Sequence, residues 1–407
     1  MSEIVDLGSA GLRPLVLRGI NKIWPGKLRL NADNLIATAI KQIKSDDFGD
    51  DWSAEPLRKL VEACNSEGRL SPVGAFIMRE RLKGALTTRL RAVKLLNEHP
   101  EILETEVAPI WVITGLQRTG TTYLQRLMAG DPSNRSILSW ETLDPVPNGD
   151  RYETSRRVKK ARFSEKALKW ISPGFFAIHP VDHTGPEEDV LLLDPTFLST
   201  APEAMAEVPS FGHWLEGQDH TKAYAWERKM LKLLQWQRPA QRWILKSPHH
   251  LEHLDAFLTV FPKANVIWTH RDPAESLPSF LSMVYHGRAM FSDDVSAAEV
   301  RDHWLRKSQI MIEKGMEFRN RHPDRVADLS FSMLVNDPVE AVRGVYAKFG
   351  EELTSEAEAG MRKVMSSHQR HRFGIHKYDA NAFDLKQEVI SSSFEEYYQL
   401  LKAEHVG

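Results

Sequence analysis

Apolar positions follow two rhythms along this chain. From Asn31 to Leu96 they recur at helical spacing. A capping cluster, Asn31-Ala32-Asp33-Asn34, precedes Leu35, Ile36, Ala39, Ile40 and Ile43, and Gly74 to Leu96 carries Phe76, Ile77, Leu82, Leu86 and Leu90. Residues 1–106 are therefore expected to form a helical extension packed on the rest. At Pro109 the rhythm changes. Ile110-Trp111-Val112-Ile113 is an unbroken apolar run ending in Thr114-Gly115, the pattern of a strand covered on both faces. Trp243-Ile244-Leu245 and Val266-Ile267-Trp268 repeat it, and Val326 to Met333 is a weaker fourth case. Helical stretches lie between: Thr122 to Met128, Trp226 to Trp236, Leu251 to Phe261 and Val300 to Phe318. This alternation predicts an α/β domain over residues 107–407 with a largely parallel sheet. Ligands of such sheets bind beyond the carboxyl ends of the strands, so the residues after each run carry the chemistry.

Residues 149–238 interrupt the alternation and read as a helical or lid insertion. Gly149 to Trp170 is basic, with Arg151, Arg156, Arg157, Lys159, Lys160, Arg162, Lys166 and Lys169; it is either a solvated helix face or an attracting rim for an anion. Phe163, Trp170, Phe175, Phe176, Phe197, Phe211 and Trp214 follow one another through the same region. They are either ordinary core or the wall of a pocket for a hydrophobic alcohol or phenol.

Composition narrows the field. The 407 residues hold 53 Lys and Arg against 55 Asp and Glu, a net charge of −2 that argues against a nucleic-acid-coating protein. One cysteine, Cys64, excludes an internal disulfide framework and a cysteine-based zinc site. No stretch reaches the roughly 18 apolar residues of a membrane span, and the first residues lack the pattern of a signal peptide. A reduced, cytoplasmic setting is expected, and a homodimer is the default assembly.

The most informative stretch is Thr114-Gly115-Leu116-Gln117-Arg118-Thr119-Gly120-Thr121-Thr122-Tyr123. It follows a strand and opens a helix. Two glycines five apart let the backbone wrap an anion, the free N–H groups of the helix start point at it, and Thr121 and Thr122 add hydroxyls. A nucleoside-triphosphatase loop would place lysine where Thr121 stands. Here the cation is Arg118, inside the loop. The expected ligand is a phosphate-like group held without a metal.

This run resembles the 5′-phosphosulfate loop of sulfotransferases that use 3′-phosphoadenylyl sulfate, closest to the branch with Arg in the loop, as in tyrosylprotein sulfotransferases and many bacterial relatives. The resemblance implies a fold related to nucleotide kinases (a P-loop-like parallel sheet flanked by helices) and sulfuryl transfer to a hydroxyl or amine. It assigns Gln117, Arg118, Thr119, Gly120, Thr121 and Thr122 to the donor's 5′ side. Trp243-Ile244-Leu245-Lys246-Ser247-Pro248 matches a Lys-x-Pro setting whose lysine faces the leaving group, here Lys246. In Val266-Ile267-Trp268-Thr269-His270-Arg271-Asp272-Pro273, the strand ends in Arg271, and Ser279 follows eight residues later; this resembles the family's 3′-phosphate motif. A basic segment near the end, His368 to Tyr378, resembles the closing segment of bacterial relatives and offers Arg370, Arg372 or His376. The product would be adenosine 3′,5′-bisphosphate.

In-line transfer also needs a base for the acceptor proton. Glu141 is the first choice, because a catalytic Glu follows the loop helix in the tyrosylprotein branch; Glu141→Gln is then expected to spare bisphosphate binding and abolish transfer. His179, His183, Glu187 and Glu188 are the other candidates. His249 and His253 stand one helical turn apart, a spacing zinc helices use, but no third ligand is evident in sequence. Two other function classes stay open: a P-loop kinase of a small molecule, and a nucleotide-binding module without transfer activity.

Overall fold

The computed structural model describes residues 15–23, 28–367 and 380–403. Five parallel strands form one sheet: β1 Ile110–Thr114, β2 Asn134–Arg135, β3 Arg242–Lys246, β4 Asn265–His270 and β5 Val326–Ser330. Their order is β2-β3-β1-β4-β5. β1 therefore lies between β3 and β4, and the chain reverses direction across the sheet at β1. The crevice beyond β1's carboxyl end is a topological switch point.

The apolar runs are continuous because both faces of the sheet are covered. Val112, Leu245, Val266 and Trp268 face a core shared with Leu35, Leu86, Leu90 and Ile102 of the amino-terminal helices. Their neighbours Trp111, Ile113, Ile244 and Ile267 face the other way, onto Leu124, Leu127, Met128, Val342 and Val345. Successive side chains alternate across a strand, so each run feeds two cores. The amino-terminal helices span Ala32–Ile43, Glu55–Ser66 and Pro72–Glu98. Asn31 and Ser71 cap the first and third, each accepting a backbone N–H three residues on.

Three expectations change. β2 has only two residues and no apolar run to announce it. The fourth run stops at Ser330, whose hydroxyl caps a helix over Phe331–Asn336, so Phe331 to Met333 are helical. Phe197 and Phe211 belong to the main core, whereas Phe163 and Trp170 are exposed. No helix among the described residues is long and apolar enough to cross a membrane.

Candidate active site

The loop between β1 and the helix Thr121–Met128 needs unusual backbone at three places. Gly115 has φ +143°, and a Cβ there would sit 2.5 Å from the Thr269 carbonyl oxygen. Gly120 has φ +92° and is hemmed by Leu334 and Phe331, each 3.0 Å from a hypothetical Cβ. Arg118, with a side chain, is nonetheless left-handed at φ 69°. A strained non-glycine residue inside a loop at a switch point marks a functional position. No side chain caps the helix at Gly120, so its first N–H groups remain available to an anion. Thr119 is turned inward: its hydroxyl is 2.6 Å from the Leu116 carbonyl and 2.6 Å from the Thr269 hydroxyl. That side chain ties the loop to β4. Gln117 Oε1 is buried with no hydrogen-bond partner among the described residues, an acceptor left open in the loop.

Sheet register places the cations. Lys246 pairs with Ile113 across β3 and β1, one strand over from the loop. Its ammonium is buried, 2.7 Å from Glu188 Oε1 and 3.4 Å from the Thr122 hydroxyl. On the other side, the end of β4 delivers Arg271. The Arg271 guanidinium donates to the Arg118 carbonyl at 3.0 Å and to Glu275 at 3.0 Å, and lies over the Phe331 ring at 4.2 Å. Arg118 Nε in turn reaches the Ser279 hydroxyl at 3.2 Å, and its Nη1 the Ile178 carbonyl at 3.4 Å. Arg271, Arg118 and Ser279 thus form one chain of hydrogen bonds, and Lys246 reaches Thr122 at the start of the loop's helix.

The candidate bases separate. The Glu141 carboxylate is buried and fully engaged: Oε1 accepts from Arg135 at 2.9 Å, and Oε2 accepts from Arg238 at 3.1 Å and from the Leu138 N–H at 2.9 Å. The last contact is a capping-box bond that starts the helix Ser139–Leu143. Glu141 is built as a brace. His183 is paired with Glu165 at 2.6 Å. His179 lies among the site's charges: Glu187, Glu188, Lys246 and Arg118 all act on it electrostatically. Burial holds its imidazole below the usual histidine range, so the ring is neutral at neutral pH.

Two supporting residues were not foreseen. Asp189 Oδ1 accepts the Lys246 N–H at 3.0 Å, and Oδ2 is 2.7 Å from His250 Nε2. His250 continues to the Tyr224 hydroxyl at 3.0 Å. The sequence signal was present in Glu188-Asp189, adjacent acids just before an apolar stretch. His220 was also missed. It joins His249 and His253, with one ring nitrogen from each of the three within 4.8 Å of the others. The His220 and His253 rings are stacked at 3.5 Å and 14°, so their in-plane lone pairs run in separate, nearly parallel planes. Arg370, Arg372 and His376 lie outside the described residues. The described end of the chain instead closes on β4: Tyr397 is 3.0 Å from His270, and Tyr398 donates to Asp272 at 2.6 Å.

Residues 109–355, more than half of the chain, match the sulfotransferase family. The chain belongs to that family. Among solved structures, sulfotransferase STF1 from Mycobacterium tuberculosis H37Rv is similar at 29% identity and a TM-score of 0.80, over 90% of this chain and 99% of that one. Sulfotransferase STF9 from Mycobacterium avium shares the fold at 24% identity and a TM-score of 0.80, over 92% of this chain and 98% of its own. No curated protein matches the sequence at a significant level. The matched stretch of this sulfotransferase spans all five strands, the glycine loop and both arginines.

Proposed function

We propose that this sulfotransferase moves a sulfuryl group from 3′-phosphoadenylyl sulfate to a hydroxyl, or an amine, of a small-molecule acceptor. One observation carries the reading: Arg271 donates to the backbone of Arg118 while Arg118 reaches Ser279, so the loop after β1 and the segment after β4 are joined through their two arginines. Adenosine 3′,5′-bisphosphate carries phosphates on two edges of its ribose and needs two neighbouring anion sites. Arg271 and Ser279 are assigned to the 3′-phosphate. The N–H groups of Thr121 and Thr122, with Arg118 and Lys246, are assigned to the 5′ side. Arg370 and Arg372 are kept as additional nucleotide contacts.

The donor supplies the sulfuryl group. The acceptor oxygen bonds to sulfur as the sulfur–oxygen bond to the phosphate breaks, and that electron pair leaves with the bisphosphate. Arg118 and Lys246 offset the charge gained there. Glu188 holds the buried Lys246 ammonium until an anion competes for it. The acceptor proton passes to His179, whose neutral ring has its lone pair available, and Glu187 and Glu188 stabilise the imidazolium formed. Glu141 is left its bracing role, because its oxygens already accept three hydrogen bonds. Asp189 and His250 position Lys246 through the strand end.

The test is turnover with 3′-phosphoadenylyl sulfate on a panel of alcohols, phenols and amines, without added divalent cation. Sulfated product and bisphosphate are expected in equal amounts, and bisphosphate alone should raise the melting temperature by mass action. Stabilisation only by magnesium-ATP would point to a kinase; binding without product on any acceptor would point to a module. Lys246→Ala is expected to cost about a hundredfold or more in turnover, the scale for losing one preorganised charge partner. A loss under threefold would remove Lys246 from the leaving-group role.

A further inference from the structure

The helix Ser155–Ile171 is weakly tied to the body. Of its seventeen side chains only Arg157 and Ala161 are buried. Arg157 stacks on Trp140 at 4.6 Å and donates to the carbonyls of Glu153, Asp144 and Pro145, which fixes one end. The helix carries seven Lys and Arg and a single acid, Glu165, in a chain of net charge −2. Glu165 faces inward, accepting the His183 backbone N–H at 3.0 Å and meeting the ring at 2.6 Å. That leaves the outer surface without a carboxylate of the helix's own.

What the outer surface does hold is ordered. Lys159, Phe163, Lys166 and Trp170 follow at spacings of four, three and four, one stripe of an α-helix. Phe163 is 74% exposed and Trp170 54%. Arg162 and Lys169 are exposed beside them, while Arg156 and Lys160 lie toward Asp144 at 4.0 and 3.5 Å. A single exposed aromatic is ordinary. Two on one stripe, flanked by cations on a helix that buries almost nothing, leave an apolar edge and a positive field facing the same way.

We infer that this helix docks the protein on an anionic lipid surface, with Phe163 and Trp170 entering the headgroup boundary and the lysines and arginines facing lipid phosphates. Charge complementarity selects the partner, and the exposed rings favour a bilayer over a rigid polyanion, because a bilayer offers an apolar layer beneath its charge. The chain runs directly from Ile171 into the short helix Pro173–Ile178, whose Ile178 carbonyl accepts from Arg118. Docking therefore brings the transfer cleft close to the membrane. Resting on the transfer reading above, this identifies the acceptor as an amphiphile whose hydroxyl lies at the lipid surface.

The test sediments the full chain with vesicles of equal parts phosphatidylglycerol and phosphatidylcholine, and with pure phosphatidylcholine. Binding to the anionic vesicles alone, weakened by salt, is expected. The Phe163→Ser/Trp170→Ser and Lys159→Glu/Lys166→Glu pairs, checked for unchanged melting, should each bind the vesicles at least tenfold more weakly. Equal binding by these variants, or no binding to anionic vesicles, overturns the proposal. So does binding to RNA or heparin, unaffected by the aromatic pair, that exceeds vesicle binding. Transfer to a soluble phenol should be unchanged in both variants, while transfer to a vesicle-dissolved alcohol falls. Loss of the soluble reaction in the unaltered protein would count against the transfer reading, with sedimentation still reporting on the helix.

Discussion

At the scale of single residues, cations and candidate bases require different arguments. Arg271 donates through both Nε and Nη1 and stacks on Phe331, a geometry lysine cannot reproduce. Arg271→Lys should weaken adenosine 3′,5′-bisphosphate by about tenfold and leave adenosine 5′-phosphate, which lacks the 3′ group, nearly unchanged. Calorimetric titration of both ligands checks this, and equal losses for the two would move Arg271 off the 3′-phosphate. His179 must be neutral to accept a proton, and burial holds its pKa below the usual histidine value of about 6.5. The transfer rate should therefore persist through the ordinary histidine range and fall only at lower pH, and His179→Ala should remove that acid limb along with most of the rate. A limb retained in His179→Ala would assign it elsewhere. Glu141→Ala should instead cost about 3–5 kcal/mol of stability, because it strands buried Arg135, while turnover of the folded fraction survives; urea melts beside active-site-titrated turnover separate the two effects. Lys246 and Arg271 stand out in the sequence because they lie at the ends of apolar strands, and Ser279 because it follows Arg271 by eight residues. A glutamate three residues into a helix reads the same in sequence whether it caps the helix or takes a proton; the hydrogen bonds of Glu141 with Arg135, Arg238 and the Leu138 N–H are what favour the bracing role proposed above.

At the scale of elements, the apolar runs exposed the central strands and concealed the edge. β1, β3 and β4 are covered on both faces and read as unbroken hydrophobic stretches, whereas β2 is Asn134–Arg135, held beside β3 by backbone pairing of Asn134 with Arg242. The Val326 run overshot because Phe331, Met333 and Leu334 are as apolar as a strand, and a serine cap rather than a change of composition marks the boundary. The helix His250–Val260 contains a further feature invisible in sequence, a non-helical His253 at φ −126° stacked against His220. Burial pushes His220 from 6.5 down to about 4, and lowers His249 and His253 well below 6.5. These rings stay neutral in the fold, while the unfolded chain takes up protons once the pH drops below about 6.5. Stability is thus full above that pH and declines as the pH falls from there, for His220 down to about 4. The three rings act in the same direction, so stability is expected to fall as the pH drops below about 6.5. Urea denaturation across the range measures it, and His253→Leu should flatten the slope by about a third; a flat profile in the unaltered protein would mean the rings find proton-compatible partners.

At the scale of the whole molecule, the amino-terminal helices form one wall of the main core. Leu35, Leu86, Leu90 and Ile102 share a single apolar cluster with Val112, Leu245 and Trp268 of the sheet and with Leu233 and Leu234 of the helix Thr221–Gln237. Arg89 links the layers further: its guanidinium donates to the Phe48 carbonyl and to Asp51, and it lies 4.3 Å over the Trp226 ring. Removing residues 1–106 would take Leu35, Leu86, Leu90 and Ile102 out of this cluster and expose the apolar side chains packed against them, more than a soluble monomer tolerates. The fragment 107–407 is accordingly expected to aggregate or to melt without a cooperative transition, and to fail to bind adenosine 3′,5′-bisphosphate. The intact chain should show one transition, raised by the bisphosphate. Scanning calorimetry of both chains decides the matter. A fragment that melts cooperatively and binds the nucleotide would show that the glycine loop, Lys246 and Arg271 need only the sheet and the helices on its opposite face, where Leu124, Leu127 and Val342 pack. A fragment that fails would make the helical wall part of the machinery that holds β1 and β4 in register, and with it the Arg118–Arg271 contact on which the nucleotide assignment rests.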